Sequence, residues 1–209
     1  MKNKYLITAV ALLSLPMGSA LADAKFDKMM KDSFQANGIA TLDRLNQDAA
    51  QKYCSDPLTL AGKGDPKRAE AIQKANMATI KQPSDGKYIG DWKSGERIAQ
   101  SGRGLTWTDD EKTPSGGNCY NCHQIDAKEI SHGTLGPSLL QYGKIRGVTD
   151  PNSEVSKPIV EYTWGKIWNP KAYNACSNMP RGGHNGVITE AQVRDIMALL
   201  LDPKSPVNK

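Results

Sequence analysis

The chain has 209 residues, 38% of them hydrophobic, with 27 Lys and Arg against 22 Asp and Glu for a formal charge of +5. That length suits one domain with a sizeable extension. The base excess falls to +3 without Lys2 and Lys4 of the leader described next, because that segment carries no acid; so mild a balance argues against a nucleic-acid partner.

Lys2 and Lys4 precede an apolar stretch from Tyr5 to Pro16, and Ala20-Leu21-Ala22 fits the small-x-small pattern read by signal peptidase. Residues 1–22 are therefore expected to be a cleaved signal peptide, with the mature chain starting at Asp23 in the periplasm. The apolar stretch is shorter than the ~20 residues that a bilayer span needs, so no membrane partner is expected.

Residues 23–87 are polar and carry scattered helical signals, the pattern of an N-terminal helical extension without chemistry of its own. Phe26, Met29, Met30 and Phe34 recur near helical spacing, as do Ile39, Leu42, Leu45 and Ala49, which predicts two short amphipathic helices. Asp65-Pro66 starts a third, and Pro83 ends it.

The main domain is expected over 88–209. Ser94 is the expected cap of a helix carrying Gly95, Glu96, Ile98, Ala99 and Gly102, with Glu96 in its first turn. A glycine in a helix costs about 1 kcal/mol against alanine, so Gly95 points to a close crossing with another element. Near the C-terminus, Thr189-Glu190-Ala191-Gln192 is a capping box followed by apolar Val193, Ile196, Met197, Leu200 and Leu201, and Asp202-Pro203 ends that helix. No run between Trp107 and Gly186 alternates as a strand. The class is mainly α, with irregular polypeptide between the two helices.

Two of the four cysteines stand in Cys119-Tyr120-Asn121-Cys122-His123. In C-x-x-C-H the two sulfurs reach the two vinyl groups on one edge of a haem and the histidine becomes the proximal iron ligand. A zinc site would want a second ligand pair, and a dithiol site would want a strand before the motif rather than the Gly116-Gly117 turn. The expectation is one covalently bound haem c, held by Cys119 and Cys122 and ligated by His123 through Nε2, in a class I cytochrome c-like domain. Cys54 and Cys176 remain as an even pair in an oxidising compartment. A disulfide between them is expected, pinning the extension to the loop after Cys176.

The sixth iron position distinguishes electron transfer from ligand binding. Met179 sits in the loop Asn178-Met179-Pro180-Arg181-Gly182-Gly183, downstream of His123 and just before the last helix, and is the expected ligand. His184 in the same loop is the alternative, and an open site the third possibility. Met197 falls on a core face, and His132 is too close to the motif. Gly136-Pro137-Ser138-Leu139 is suited to supply the carbonyl that fixes the proximal imidazole. Trp107, Tyr142, Trp164, Trp168 and Tyr173 are candidates to wall the porphyrin.

Several stretches carry a resemblance to the SoxX subunit of the SoxAX cytochromes of bacterial thiosulfate oxidation. They are Gly95-Glu96-Arg97-Ile98-Ala99, Gly116-Gly117-Asn118-Cys119-Tyr120-Asn121-Cys122-His123-Gln124, Gly133-Thr134-Leu135-Gly136-Pro137-Ser138-Leu139, Tyr142-Gly143-Lys144-Ile145-Arg146-Gly147, Cys176-Ser177-Asn178-Met179-Pro180-Arg181, and the tail Leu200-Leu201-Asp202-Pro203-Lys204-Ser205-Pro206-Val207-Asn208. The likeness spans roughly residues 90 to 208. It departs at Gly182, where the family leads one to expect an aromatic residue. The resemblance implies an electron-transfer subunit without independent catalysis, in a heterodimer with a SoxA-like cytochrome. That pair would act as an L-cysteine S-thiosulfotransferase on a SoxYZ-like carrier and pass electrons to a downstream acceptor. The competing expectation is a free periplasmic electron shuttle serving another redox enzyme.

Overall fold

The computed structural model describes residues 17–209, so Lys2, Lys4 and the apolar stretch Tyr5–Pro16 lie outside the described residues. In chain order the helices are α1 (Met17–Ser33), α2 (Ala49–Cys54), α3 (Pro57–Leu60), α4 (Pro66–Met77), α5 (Trp92–Gln100), α6 (Tyr142–Ile145), α7 (Lys157–Trp168) and α8 (Glu190–Leu201). The expected signal-peptidase stretch Ala20-Leu21-Ala22 lies within α1. Among the described residues the only extended pairing is an isolated bridge between Asn37 and Ala40. None of the described helices is long and apolar enough to cross a membrane. The fold is mainly α, of the class I cytochrome c type.

The core is organised by α8, which buries Val193, Ile196, Met197 and Leu199 to Leu201. Its N-terminus is closed by the expected capping box, Thr189 accepting from the Gln192 amide and Gln192 answering on the Thr189 backbone. At its other end the tail satisfies the orphaned carbonyls that every helix terminus leaves. Asn208 donates to the carbonyls of Leu200 and Asp202 at 3.0 and 2.9 Å and accepts from the backbone of Gly143 and Lys144 in α6.

Helix α5 crosses α8 at Gly95. A Cβ there would stand 2.0 Å from the Asp195 carbonyl oxygen, so only glycine permits the approach. The cap of α5 is Asp91 rather than Ser94: its carboxylate accepts from the amides of Lys93 and Ser94, and the Ser94 hydroxyl donates to it as well. An ionised carboxylate is the stronger acceptor for those amides, and the helix therefore begins at Trp92, which places Glu96 beyond its first turn, and it ends at Gln100, short of the expected Gly102.

Three further expectations change. The spacing Ile39, Leu42, Leu45 and Ala49 yields only a 3₁₀ turn over Leu42–Leu45, with no buried residue, before α2 starts. The helix at Asp65-Pro66 forms with Asp65 as its cap, but it stops at Met77 instead of running to Pro83. The stretch expected to be irregular contains α7, whose Val160, Thr163, Trp164, Ile167 and Trp168 are all buried.

The extension is fastened to α7 and α8. The indole N–H groups of Trp164 and Trp168 donate to the carbonyls of Lys81 and Thr79 at 2.8 and 3.2 Å. Fully buried Asn169 donates to the Asn76 and Thr79 side chains. Tyr88 meets Trp164 edge-on at 5.4 Å. A second small core of Ala50, Tyr53, Ile72 and Ala175 joins α2 and α4 to the segment before Cys176, and the expected Cys54–Cys176 disulfide is formed.

Candidate functional site

The C-x-x-C-H motif is set up by the turn before it. The Gly117 amide donates to the Ile98 carbonyl and the Asn118 amide to that of Ser101, both across to α5. Gly116 could not carry a side chain, since its Cβ would lie 1.9 Å from the Ser101 oxygen. Asn118 then takes the left-handed conformation (φ 50°), accessible to asparagine, and Cys119–Asn121 follow as a 3₁₀ turn. The amides of Cys122 and His123 both donate to the Cys119 carbonyl, at 3.1 and 2.9 Å. One tight turn thus separates the cysteines, and residues three apart lie over one another in such a turn.

Cys119 and Cys122 are not joined to each other, which leaves both sulfurs for another bond. Burial pushes the Cys119 thiol up to about 11. The loop 133–139 laces back onto the motif: Gly133 donates to Tyr120, Gly136 to Cys122 and Leu139 to Gln124, all at 2.7–2.8 Å. This loop supplies the expected carbonyl, with His123 Nδ1 2.7 Å from the Pro137 oxygen. A carbonyl can only accept, so Nδ1 carries the proton and Nε2 presents its lone pair. Gly136 is required here, because a Cβ would lie 2.1 Å from His123 Cε1.

His123 and Cys119 open onto an apolar cavity of about 70 Å³. Ala99 of α5, Ile167 of α7, and Ile196, Leu199 and Leu200 of α8 form its walls, and Val187 and Ile188 close it. Met179 and Pro180 line the same cavity. The Cys119 thiol, the His123 imidazole and the Met179 thioether border one apolar chamber, with Cys122 one turn beyond Cys119, and this is a donor set that would hold a haem c.

The structure brings Cys119, His123 and Met179 together and leaves His184 out. His184 is exposed and absent from the cavity wall, its amide bonded to the Trp168 carbonyl. His132 contacts the neighbouring Gly133 carbonyl, as its closeness to the motif suggests. Gly182 is buried, and its Cβ would be 2.9 Å from the Ile167 oxygen and 3.1 Å from Ile188 Cδ1, so an aromatic residue has no room there. The aromatic residues do not wall the cavity. Trp164 and Trp168 stack on one another 5.6 Å apart and face the extension, Tyr142 bonds to Thr163, Tyr173 packs on Tyr162, and Trp107 is 61% exposed. Aliphatic residues take their place because α8 presents its branched side chains to that chamber.

Sequence reasoning missed the groups that hold the Met179 loop. Lys171 donates to the carbonyls of Ala175 and Ser177 at 3.3 and 3.2 Å. Arg181, with 14% of its side chain exposed, pairs with Asp48. No spacing rule links Arg181 to Asp48, 133 positions away.

Residues 108–203 match the cytochrome c family. An uncharacterized lipoprotein of Aquifex aeolicus (strain VF5) is 39% identical over 166 residues, covering 78% of this chain and 73% of that protein. With that match laid over the turn, the loop and the apolar chamber, residues 108–203 form a cytochrome c domain, of the family whose members bind haem c covalently through C-x-x-C-H and transfer electrons.

Proposed function

We propose that this chain is a periplasmic monohaem cytochrome acting as the electron-accepting subunit of a SoxAX-like pair. The observation that carries the electron-transfer reading is that His123 and Met179 line one apolar cavity. Histidine with methionine is the ligand pair of electron-transfer cytochromes. The partner assignment is supported by the Met-Pro-Arg loop and the Asp-Pro-Lys-Ser-Pro-Val-Asn tail.

Bound haem supplies a one-electron couple at its iron. Cys119 and Cys122 hold it as thioethers, and the Pro137 carbonyl orients His123 and increases its basicity. Ile125, Ile196, Leu199 and Leu200 exclude water, which lowers the local dielectric and favours the less charged, reduced state. In the proposed reaction a carrier cysteine thiol and thiosulfate form a sulfur–sulfur bond, releasing one proton and two electrons. A SoxA-like partner carries that chemistry. This subunit takes the electrons one at a time and hands them to a downstream acceptor.

The test has two parts. Ferric holoprotein should be low-spin, with the near-infrared sulfur-to-iron band of methionine ligation, and Met179→Ala should abolish the band and lower the potential. Co-expression with a SoxA-like cytochrome should give one gel-filtration peak at heterodimer mass, with thiosulfate-dependent haem reduction only when a SoxYZ-like carrier is added. Two separate peaks would point instead to a free shuttle.

A further inference from the structure

Met179 stands between two residues that grip the same short helix from opposite ends. Three positions before it, Cys176 is bonded to Cys54, the last residue of α2. Two positions after it, Arg181 pairs with Asp48, the N-cap of α2. Asp48 is itself fixed, because one carboxylate oxygen accepts from the Gln51 amide at 2.8 Å while the other takes Arg181. Tyr53 and Ala50 anchor α2 in its own core with Ile72 of α4 and Ala175 of the loop. Beyond Lys171, which holds the Ala175 and Ser177 carbonyls, the Met179 segment has few other restraints: its amide reaches only the Ser177 hydroxyl, at 3.3 Å, and neighbouring Asn178 and Pro180 are exposed.

We propose that α2 is a brace that positions Met179, with Asp48, Arg181 and the Cys54–Cys176 bond as positioning residues for the sixth iron ligand. The extension then has a function beyond covering the core: it sets how readily the thioether leaves the iron. The inference rests on the reading of Met179 as that ligand. A methionine whose loop opens rarely resists displacement. Each increase in the open fraction raises the apparent affinity of a competing ligand in proportion.

The experiment titrates the ferric holoprotein with imidazole and follows loss of the near-infrared sulfur band, together with the midpoint potential and the denaturant unfolding curve. Asp48→Asn and the double variant Cys54→Ser/Cys176→Ser should bind imidazole about tenfold more tightly than the parent, with a lowered potential. Asp48→Glu, which keeps the charge, should stay near the parent. Glu190→Gln serves as control, since it loosens the extension elsewhere, at Ser84, and should leave the imidazole affinity unchanged. Brace variants that unfold earlier yet bind imidazole as the parent does would overturn the proposal, reducing α2 to a structural element. If the cysteine variant does not accumulate, Asp48→Asn decides alone. A band that persists in Met179→Ala would instead remove the ligand assignment itself, a failure separable from that of the brace.

Discussion

His123 Nδ1 lies 2.7 Å from the carbonyl oxygen of Pro137, fourteen residues further along the chain. The contact fixes the tautomer, because a carbonyl has no proton to give. It also depends on Gly136, whose missing side chain leaves room for the imidazole.

Gly136→Ala should therefore disturb the proximal side first. Its methyl would meet the ring at 2.1 Å, and forced overpacking typically costs about 1–3 kcal/mol. The expected result is a smaller fraction of chain carrying covalent haem and a mixed-spin spectrum, read by a pyridine haemochrome assay and absorption. Full haem loading with an unchanged low-spin spectrum would contradict the geometry.

Gly95→Ala sets two effects against each other. Alanine favours the helix by about 1 kcal/mol, but its methyl would strike the Asp195 carbonyl, a backbone atom that no rotamer change can move. Overpacking should win, for a net loss of about 1–3 kcal/mol. A guanidinium melt measures it directly, and a stabilised variant would mean that α5 and α8 cross elsewhere.

Trp168→Phe keeps most of the apolar area but deletes the indole donor to the Thr79 carbonyl. A buried acceptor left without its partner costs about 1–3 kcal/mol. Amide exchange should accelerate around residues 76–83 while α8 stays protected, because the lost bond fastens the extension rather than the core. Equal acceleration in both regions would show that they unfold as one unit.

Acid should weaken the junction between the extension and α8. The backbone N–H and hydroxyl of Ser84, with Arg194 beside them, hold the Glu190 carboxyl below its usual range. A depressed carboxylate stabilises the fold above its unfolded value, near 4.5, and that contribution fades as pH falls through the folded value. Glu190→Gln should be less stable than the parent at pH ~7 yet lose less stability between pH ~5 and ~3. Parallel pH profiles for the two proteins would show that Glu190 is not linked to folding.

The features legible in the sequence are those whose cause lies within a few residues. C-x-x-C-H specifies its own turn, Thr189 to Gln192 specifies its own cap, and Gly95 signals a close approach because nothing else justifies a glycine in that helix. Asp91 prevails over Ser94 as the cap because an ionised carboxylate is the stronger acceptor, and Val160, Thr163, Trp164, Ile167 and Trp168 of α7 recur at helical spacing behind Pro158 in its first turn. The pairing of Cys54 with Cys176 followed from parity, since only one pair remained. What only the tertiary structure decided are the partners brought together by packing. Arg181 meets Asp48 across 133 positions, Trp164 meets Lys81 across 83, and aliphatic rather than aromatic side chains face His123 and Met179. Such choices depend on which faces of α2, α7 and α8 are left free once the core closes, and no local spacing encodes that.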